Sequence, residues 1–175
     1  MIPVALSRRL TTSVARSGFL ALLVYVGWRV RRGATRLVQV GSPNEIYTAP
    51  NSKFVSEFIG DVNVLPVTLA STGKLACASL RTEFAAERIP PGFNDGHLVV
   101  RPEFLRFVAQ ASDAENVLTG RLYNEYALGS RIQYQVRVGD QVFLVEKLRQ
   151  QAYGGARDDE VLIGWDGRDS IVVGP

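Results

Sequence analysis

At 175 residues the chain has room for one domain plus extensions, and its 46% hydrophobic content is that of an ordinary globular protein. The net charge of +3 hides an uneven split: Arg8, Arg9, Arg16, Arg29, Arg31, Arg32 and Arg36 meet no acid, while the remainder holds 13 of the 20 basic groups and all 17 acids, a net charge of −4. A mildly acidic body gives nucleic acid no electrostatic reason to bind. Cys77 is the only cysteine, which excludes an intrachain disulfide and a cysteine-based metal site. His97, the only histidine, follows Gly96, and no G-x-S-x-G elbow accompanies it; it reads as a surface turn residue rather than a member of a hydrolytic triad.

Residues 1–35 form an atypical basic and apolar segment. The apolar run from Gly18 to Trp28 is too short for a straight membrane-spanning helix, which takes about 20 residues. Arginines flank it on both sides, and Trp28-Arg-Val-Arg-Arg32 is a poor cleavage site for a secretory signal. An interfacial helix and a disordered tail both fit this pattern.

Residues 36–60 read as a strand and two short helices. Leu37, Val38 and Val40 make a short apolar strand that Gly41 ends. Ser42, Pro43 and Glu45 have capping-box spacing with proline in the first turn, and Pro50 stops the helix they start. Asn51 is placed to cap a second helix whose apolar face would carry Phe54, Val55, Phe58 and Ile59, with Gly60 as a left-handed C-cap.

From residue 61 to 175 short strands alternate with turns. Val64–Leu69 is the first, and Pro66 within it argues for an edge or a bulge. Ser71–Lys74 turns the chain and Leu75–Leu80 runs back; Pro90–Gly96 is a turn-rich loop before Leu98-Val-Val100. Leu118–Tyr126 is a strand, Gly129-Ser130 a turn, and Ile132, Tyr134, Val136 and Val138 alternate with polar residues as on a half-buried strand. Gly139-Asp140 turns into Gln141–Glu146, and Glu160–Trp165 and Ser170–Val173 complete seven or eight strands, with Trp165 in a core or interface. The fold class is therefore mostly β, a small barrel of the oligonucleotide/oligosaccharide-binding type behind two short helices and the poorly defined N-terminal segment.

Two sets of residues resemble one family. The run Arg36–Pro50 with Phe54-Val-Ser-Glu-Phe-Ile-Gly60 and Asn63 looks like the seam where the ATPase domain of an ABC importer passes into its C-terminal regulatory domain. Val100-Arg-Pro-Glu103, Gly120-Arg-Leu122, Leu128-Gly-Ser130 and Val161-Leu-Ile-Gly-Trp-Asp166 look like the ordered landmarks of that domain, the transport-associated (TOBE) barrel of spermidine/putrescine-type and related iron or sulfate importers. The likeness covers about residues 36–173, and residues 1–35 lack the pattern expected for the end of the ATPase domain. It implies a remnant of that domain at 36–60 and a regulatory barrel at 61–175. It also implies permease subunits as partners through the full-length family's ATPase domain, pairing of the barrel with its twin, and a place in the cytoplasm against the inner face of the plasma membrane.

Catalytic residues are not expected. The nearest approach to a phosphate-binding G-x-x-x-x-G-K-[ST] loop is Gly73-Lys74, with Thr68 in place of the first glycine and Leu75 in place of the hydroxyl. The chain by itself is expected not to be an enzyme and to need no cofactor or metal; ATP and magnesium belong to the full-length family. Arg101, Glu103, Gly129 and Ser130 are the regulatory, ligand or interface candidates. The alternative for the first two is a surface charge pair at a strand end, and for the others a turn. Glu125 between Tyr123 and Tyr126 speaks against a base-stacking patch. A free-standing barrel that binds a small solute or oxyanion is the alternative to the regulatory reading.

Overall fold

A computed structural model describes residues 38–175. The expectations for residues 1–35, and the place of Leu37 in a strand, lie outside the described residues. The chain divides between Pro50 and Asn51 into two units. In the first, residues 38–40 are not strand, and helix α1 (Pro43–Thr48) has the expected capping box. The Glu45 carboxylate accepts from Ser42 N at 2.7 Å, while Glu45 N donates to Ser42 Oγ at 3.3 Å. Those bonds to Ser42 hold the Glu45 carboxyl below its ordinary pKa.

The second unit begins with α2 (Lys53–Ile59), and here the sequence reading needs correction. Ser52, not Asn51, is the N-cap, and Gly60 is extended (φ 167°, ψ 179°) rather than left-handed. Val55 and Ser56 form the buried side, whereas Phe54 and Phe58 are 44% and 58% exposed and stack on each other at 5.9 Å. The i, i+1, i+4, i+5 pattern located the apolar residues without saying which half of them meets the sheet.

Ten strands follow: β1 (Asn63–Leu69), β2 (Leu75–Cys77), β3 (Thr82–Phe84), β4 (Asp95–Val100), β5 (Arg106–Val108), β6 (Asn116–Leu128), β7 (Arg131–Val138), β8 (Gln141–Leu148), β9 (Glu160–Trp165) and β10 (Ile171–Val173). The fold is mostly β, as expected. Two strands escaped the sequence reading because β3 and β5 are three residues long, too short for alternation to show. β2 also stops at Cys77 rather than at Leu80, because Arg81 (φ 52°) helps turn the chain back into β3. His97 is not a turn residue: it lies within β4, between Pro66 of β1 and Val173 of β10.

The strands form two antiparallel sheets, β10-β4-β1-β2-β3 and β5-β9-β6-β7-β8, rather than one closed barrel. β1 pairs with β4 over its whole length but with β2 only at Thr68 and Leu69, so Pro66 stands where β1 is locally an edge. That is where a residue with no N–H to donate is tolerated. Inward-facing residues of both sheets, among them Leu65, Leu98, Val136, Val145 and Ile163, make one core. Trp165 is fully buried in it, 5.1 Å from Phe84 and donating its indole N–H to Ser170 Oγ at 3.0 Å.

Two asparagine side chains join the sheets where strand pairing does not. Asn63 of β1 donates Nδ2 to Leu144 O (2.9 Å) and accepts from Leu144 N (2.7 Å) on the β8 edge. Asn116 of β6 donates to Ala85 O (3.0 Å) and accepts from Ala85 N (2.7 Å) just beyond β3. Each primary amide thus copies the donor and acceptor of a strand residue, on a side chain at most 6% exposed. Replacing Asn116 by leucine strands the Ala85 N–H, at a cost of about 1–3 kcal/mol, and leaves the Ala85 carbonyl only the longer bond from Ser170 Oγ at 3.3 Å. The Asn116→Leu variant should melt roughly 5–10 °C lower by circular dichroism. Asn124→Ala, on the outer surface, should change stability by about 0.5 kcal/mol or less. Equal melting of the two variants would show that the amide stitch does not matter.

Candidate functional site

The residues singled out from sequence fall in two places. Arg101 follows β4 and is buried, 1% exposed. Its Nη1 donates to Ser56 O of α2 at 3.1 Å and reaches Gly60 O at 3.5 Å. It therefore holds the last turn of α2 against the end of β4, where a cation suits the negative end of a helix. The surface charge pair considered for Arg101 and Glu103 is thus corrected for the arginine, whereas Glu103 is exposed in the short 3-10 turn Pro102–Phe104. Gly129 (φ 70°) and Ser130 form the two-residue turn between β6 and β7. Their carbonyls accept from Arg149 Nε and Arg149 N, both at 2.9 Å. A Cβ at Gly129 would meet nothing, so the left-handed backbone, not space, is what calls for glycine there.

A cleft of about 570 Å³ opens elsewhere in this unit, lined by Ala85, Ala86, Glu87, Glu115, Asp166, Gly167 and Arg168. Its acidic look is deceptive, because two of its carboxylates are engaged. Asp166 accepts from Arg106 Nη2 at 3.0 and 3.2 Å, and Arg168 lies 3.6 Å away. The hydrogen bond from Arg106 holds the Asp166 carboxyl below its ordinary value of 3.8, with the charges of Arg106 and Arg168 adding to it. Glu115 accepts from Gly167 N at 2.6 Å, and Gly167 O accepts from Glu87 N at 3.0 Å. Together with Asn116 and Ser170, which both bond to Ala85, these contacts knot the segment after β3 to the turn after β9. Burial, and then the charge of Arg106, lowers the pKa of Lys147 on β8. Among the described residues no three His, Cys, Asp or Glu side chains converge as metal ligands would. No helix there is long and apolar enough to cross a membrane.

Sequence neighbours misled in one place. Tyr123 has Glu125 close by in sequence, yet its ring meets Arg137 of β7 and Arg157 of the loop before β9, both brought to it by tertiary pairing. Only the β6–β7 register could have exposed this, since Arg121 and Arg137 face each other across it.

Residues 98–173 match the TOBE domain family. The chain is 33% identical over 151 residues to a spermidine/putrescine import ATP-binding protein of Rubrobacter xylanophilus, covering 79% of this chain and 38% of that protein. A sulfate/thiosulfate import ATP-binding protein of Synechocystis is 35% identical over 119 residues (66% and 30% covered), and an Fe(3+) ions import ATP-binding protein of Brucella abortus 29% over 121 (66% and 33%). The chain thus spans about a third of the length of the curated relatives it matches (30–38%), and the resemblance is to the C-terminal part of an ABC importer's ATP-binding protein. The fold is also that of the cytoplasmic molybdate-binding protein ModG, solved with molybdate bound: TM-score 0.54, 12% identity, 65% of this chain and 96% of that one.

The Arg106–Asp166 bond makes a signed prediction. A carboxylate whose folded pKa lies below 3.8 contributes stability that is complete above that pH and fades as pH falls through the folded value. Arg106→Gln removes this contribution. Urea unfolding should therefore separate wild type from variant most at neutral pH, and the gap should shrink as pH falls below 3.8. A gap that stays constant with pH would assign the loss to packing alone.

Proposed function

We propose that this chain acts as the regulatory C-terminal module of an ABC importer's ATP-binding subunit, of the polyamine-importing type, without the ATP-hydrolysing motifs. The observation that carries this reading is the TOBE match at residues 98–173 set within a longer similarity to spermidine/putrescine import ATP-binding proteins from several bacteria. Residues 61–175 are the regulatory domain in this reading and 36–60 the end of the ATPase domain. The α2–Arg101 clamp supports it, because it ties the seam helix to the sheet as a rigid lever would require. ATP and magnesium would be handled by a motor domain of the kind the relatives' names describe, and permease subunits would be met through that domain. A second copy of the module is the expected regulatory partner. β8 lies at the end of its sheet and, on either side of the Asn63 stitch at Leu144, exposes Val142 and Leu148, apolar surface suited to such contact.

Two measurements test this. Purified chain should show no magnesium-dependent ATP turnover, and measurable hydrolysis that depends on the chain would overturn that part. Residues 51–175 grafted in place of the C-terminal region of a spermidine/putrescine import ATP-binding protein should preserve spermidine uptake. Support of iron or sulfate uptake instead, in the corresponding chimeras, would reject the polyamine assignment while keeping the regulatory one.

A further inference from the structure

The outer face of the second sheet gathers three arginines, Arg121, Arg137 and Arg157, that take no part in the ion pairs formed among the described residues. β6 is irregular between Leu122, which faces Val136, and Asn124, which faces Gln135, so Tyr123 is the extra residue of a bulge. A bulge bends its strand and disrupts the ladder locally, and this one sets Tyr123 beside Asn124 opposite the single residue Gln135. The main chain of Leu122 bonds instead to the loop before β9, accepting from Asp158 N at 2.7 Å and donating to Asp159 O at 2.9 Å. Asp158 has φ 71°, a left-handed conformation uncommon outside glycine, and it is fixed by that bond and by Arg121 Nη1, which donates to its carbonyl at 3.3 Å.

This strained loop delivers Arg157 to the ring of Tyr123, 5.6 Å from its centroid, while Arg137 lies over the same ring at 4.2 Å. Arg121 stands directly opposite Arg137. Like charges so placed across strands are unfavourable, and an exposed cation–π contact returns only about 0.5–1 kcal/mol. None of the ion pairs formed among the described residues includes Arg121, Arg137 or Arg157, although Glu160 is Arg121's neighbour on β9. The cluster also lies in a body whose overall charge is negative, so it is not part of a generally basic surface.

We infer that Arg121, Arg137 and Arg157, arranged around the Tyr123 bulge, form a binding site for a multiply charged phosphate-class oxyanion. An arginine resting on an aromatic face keeps its in-plane N–H fork free, and such forks match phosphate oxygens in pairs. A polyvalent anion would relieve the repulsion between Arg121 and Arg137 and bridge to Arg157. The site owes nothing to the transport reading; either can fail while the other stands.

The test uses the full chain and two phosphate sources. Inorganic pyrophosphate is titrated at constant ionic strength while the arginine Nε–H resonances are followed by NMR, and vesicles of phosphatidylglycerol in phosphatidylcholine are assayed by co-sedimentation. Arg137→Gln and Arg157→Gln, each checked for native circular dichroism, should weaken binding about tenfold or more, roughly the loss of one charge-assisted pair. Arg131→Gln, whose arginine pairs with Glu146 at 2.8 Å, should bind as wild type. Saturable binding of pyrophosphate with this dependence supports a soluble ligand; the same dependence seen only with vesicles supports a lipid headgroup at the same site. Binding of neither, or binding that the Arg137 and Arg157 variants leave unchanged, overturns the inference.

Discussion

Everything in the second unit depends on how two separate sheets are held face to face without a continuous ring of strand pairing. A closed barrel satisfies every backbone group by pairing and leaves no edge. Here the ring is open, and at two of the gaps an asparagine amide takes the place of a missing strand, Asn63 on Leu144 and Asn116 on Ala85. The geometry asks for one donor and one acceptor about a strand's spacing apart, which a primary amide supplies and a carboxylate or hydroxyl does not. Near Asn116 the polar links thicken into the knot around Asp166 and Gly167, and the buried indole of Trp165 joins it through Ser170 Oγ, which itself reaches Ala85 O. The core and the cleft are therefore two sides of one junction.

That junction gives two of the three acids lining the cleft, Asp166 and Glu115, a structural task. A carboxylate that works on a substrate must have a lone pair or proton to offer, whereas Asp166 is committed to Arg106 and Glu115 to the Gly167 N–H. Their work is to fix the turn after β9 against the segment after β3. The arginines around Tyr123 are in the reverse situation, positioned by a bulge and a strained loop yet taking no part in the ion pairs formed among the described residues. Within one module, acidic groups are spent internally and a small basic group faces outward.

Much of this was legible in the sequence where the signal is local. The Ser42–Glu45 capping box, the turns at Gly129 and Gly139, and the alternation of β7 follow from side-chain chemistry within a few residues. What the sequence concealed is relational. Which half of α2 is buried depends on where β4 and Arg101 stand, and Phe54 and Phe58 are left on the outside. Three-residue strands such as β3 and β5 exist because a partner supplies their ladder, not because their residues insist on it. His97 looked like a turn residue because it follows a glycine, but Gly96 is itself within β4.

Arg101 shows how the same blindness affects a candidate site. In sequence it is a charged residue beside proline at a strand end, equally suited to a solute, a subunit or solvent. In the fold its guanidinium is buried and spans two carbonyls at the end of α2, across more than 40 residues of chain. A buried cation needs such acceptors, since removing them would leave its desolvation uncompensated. The arginine therefore couples the position of α2 to the strand that opens the matched TOBE segment. With the buried Val55 and the short link into β1, that side chain fixes the helix against the sheet, a structural task for a charged residue that sequence alone offers as a ligand candidate.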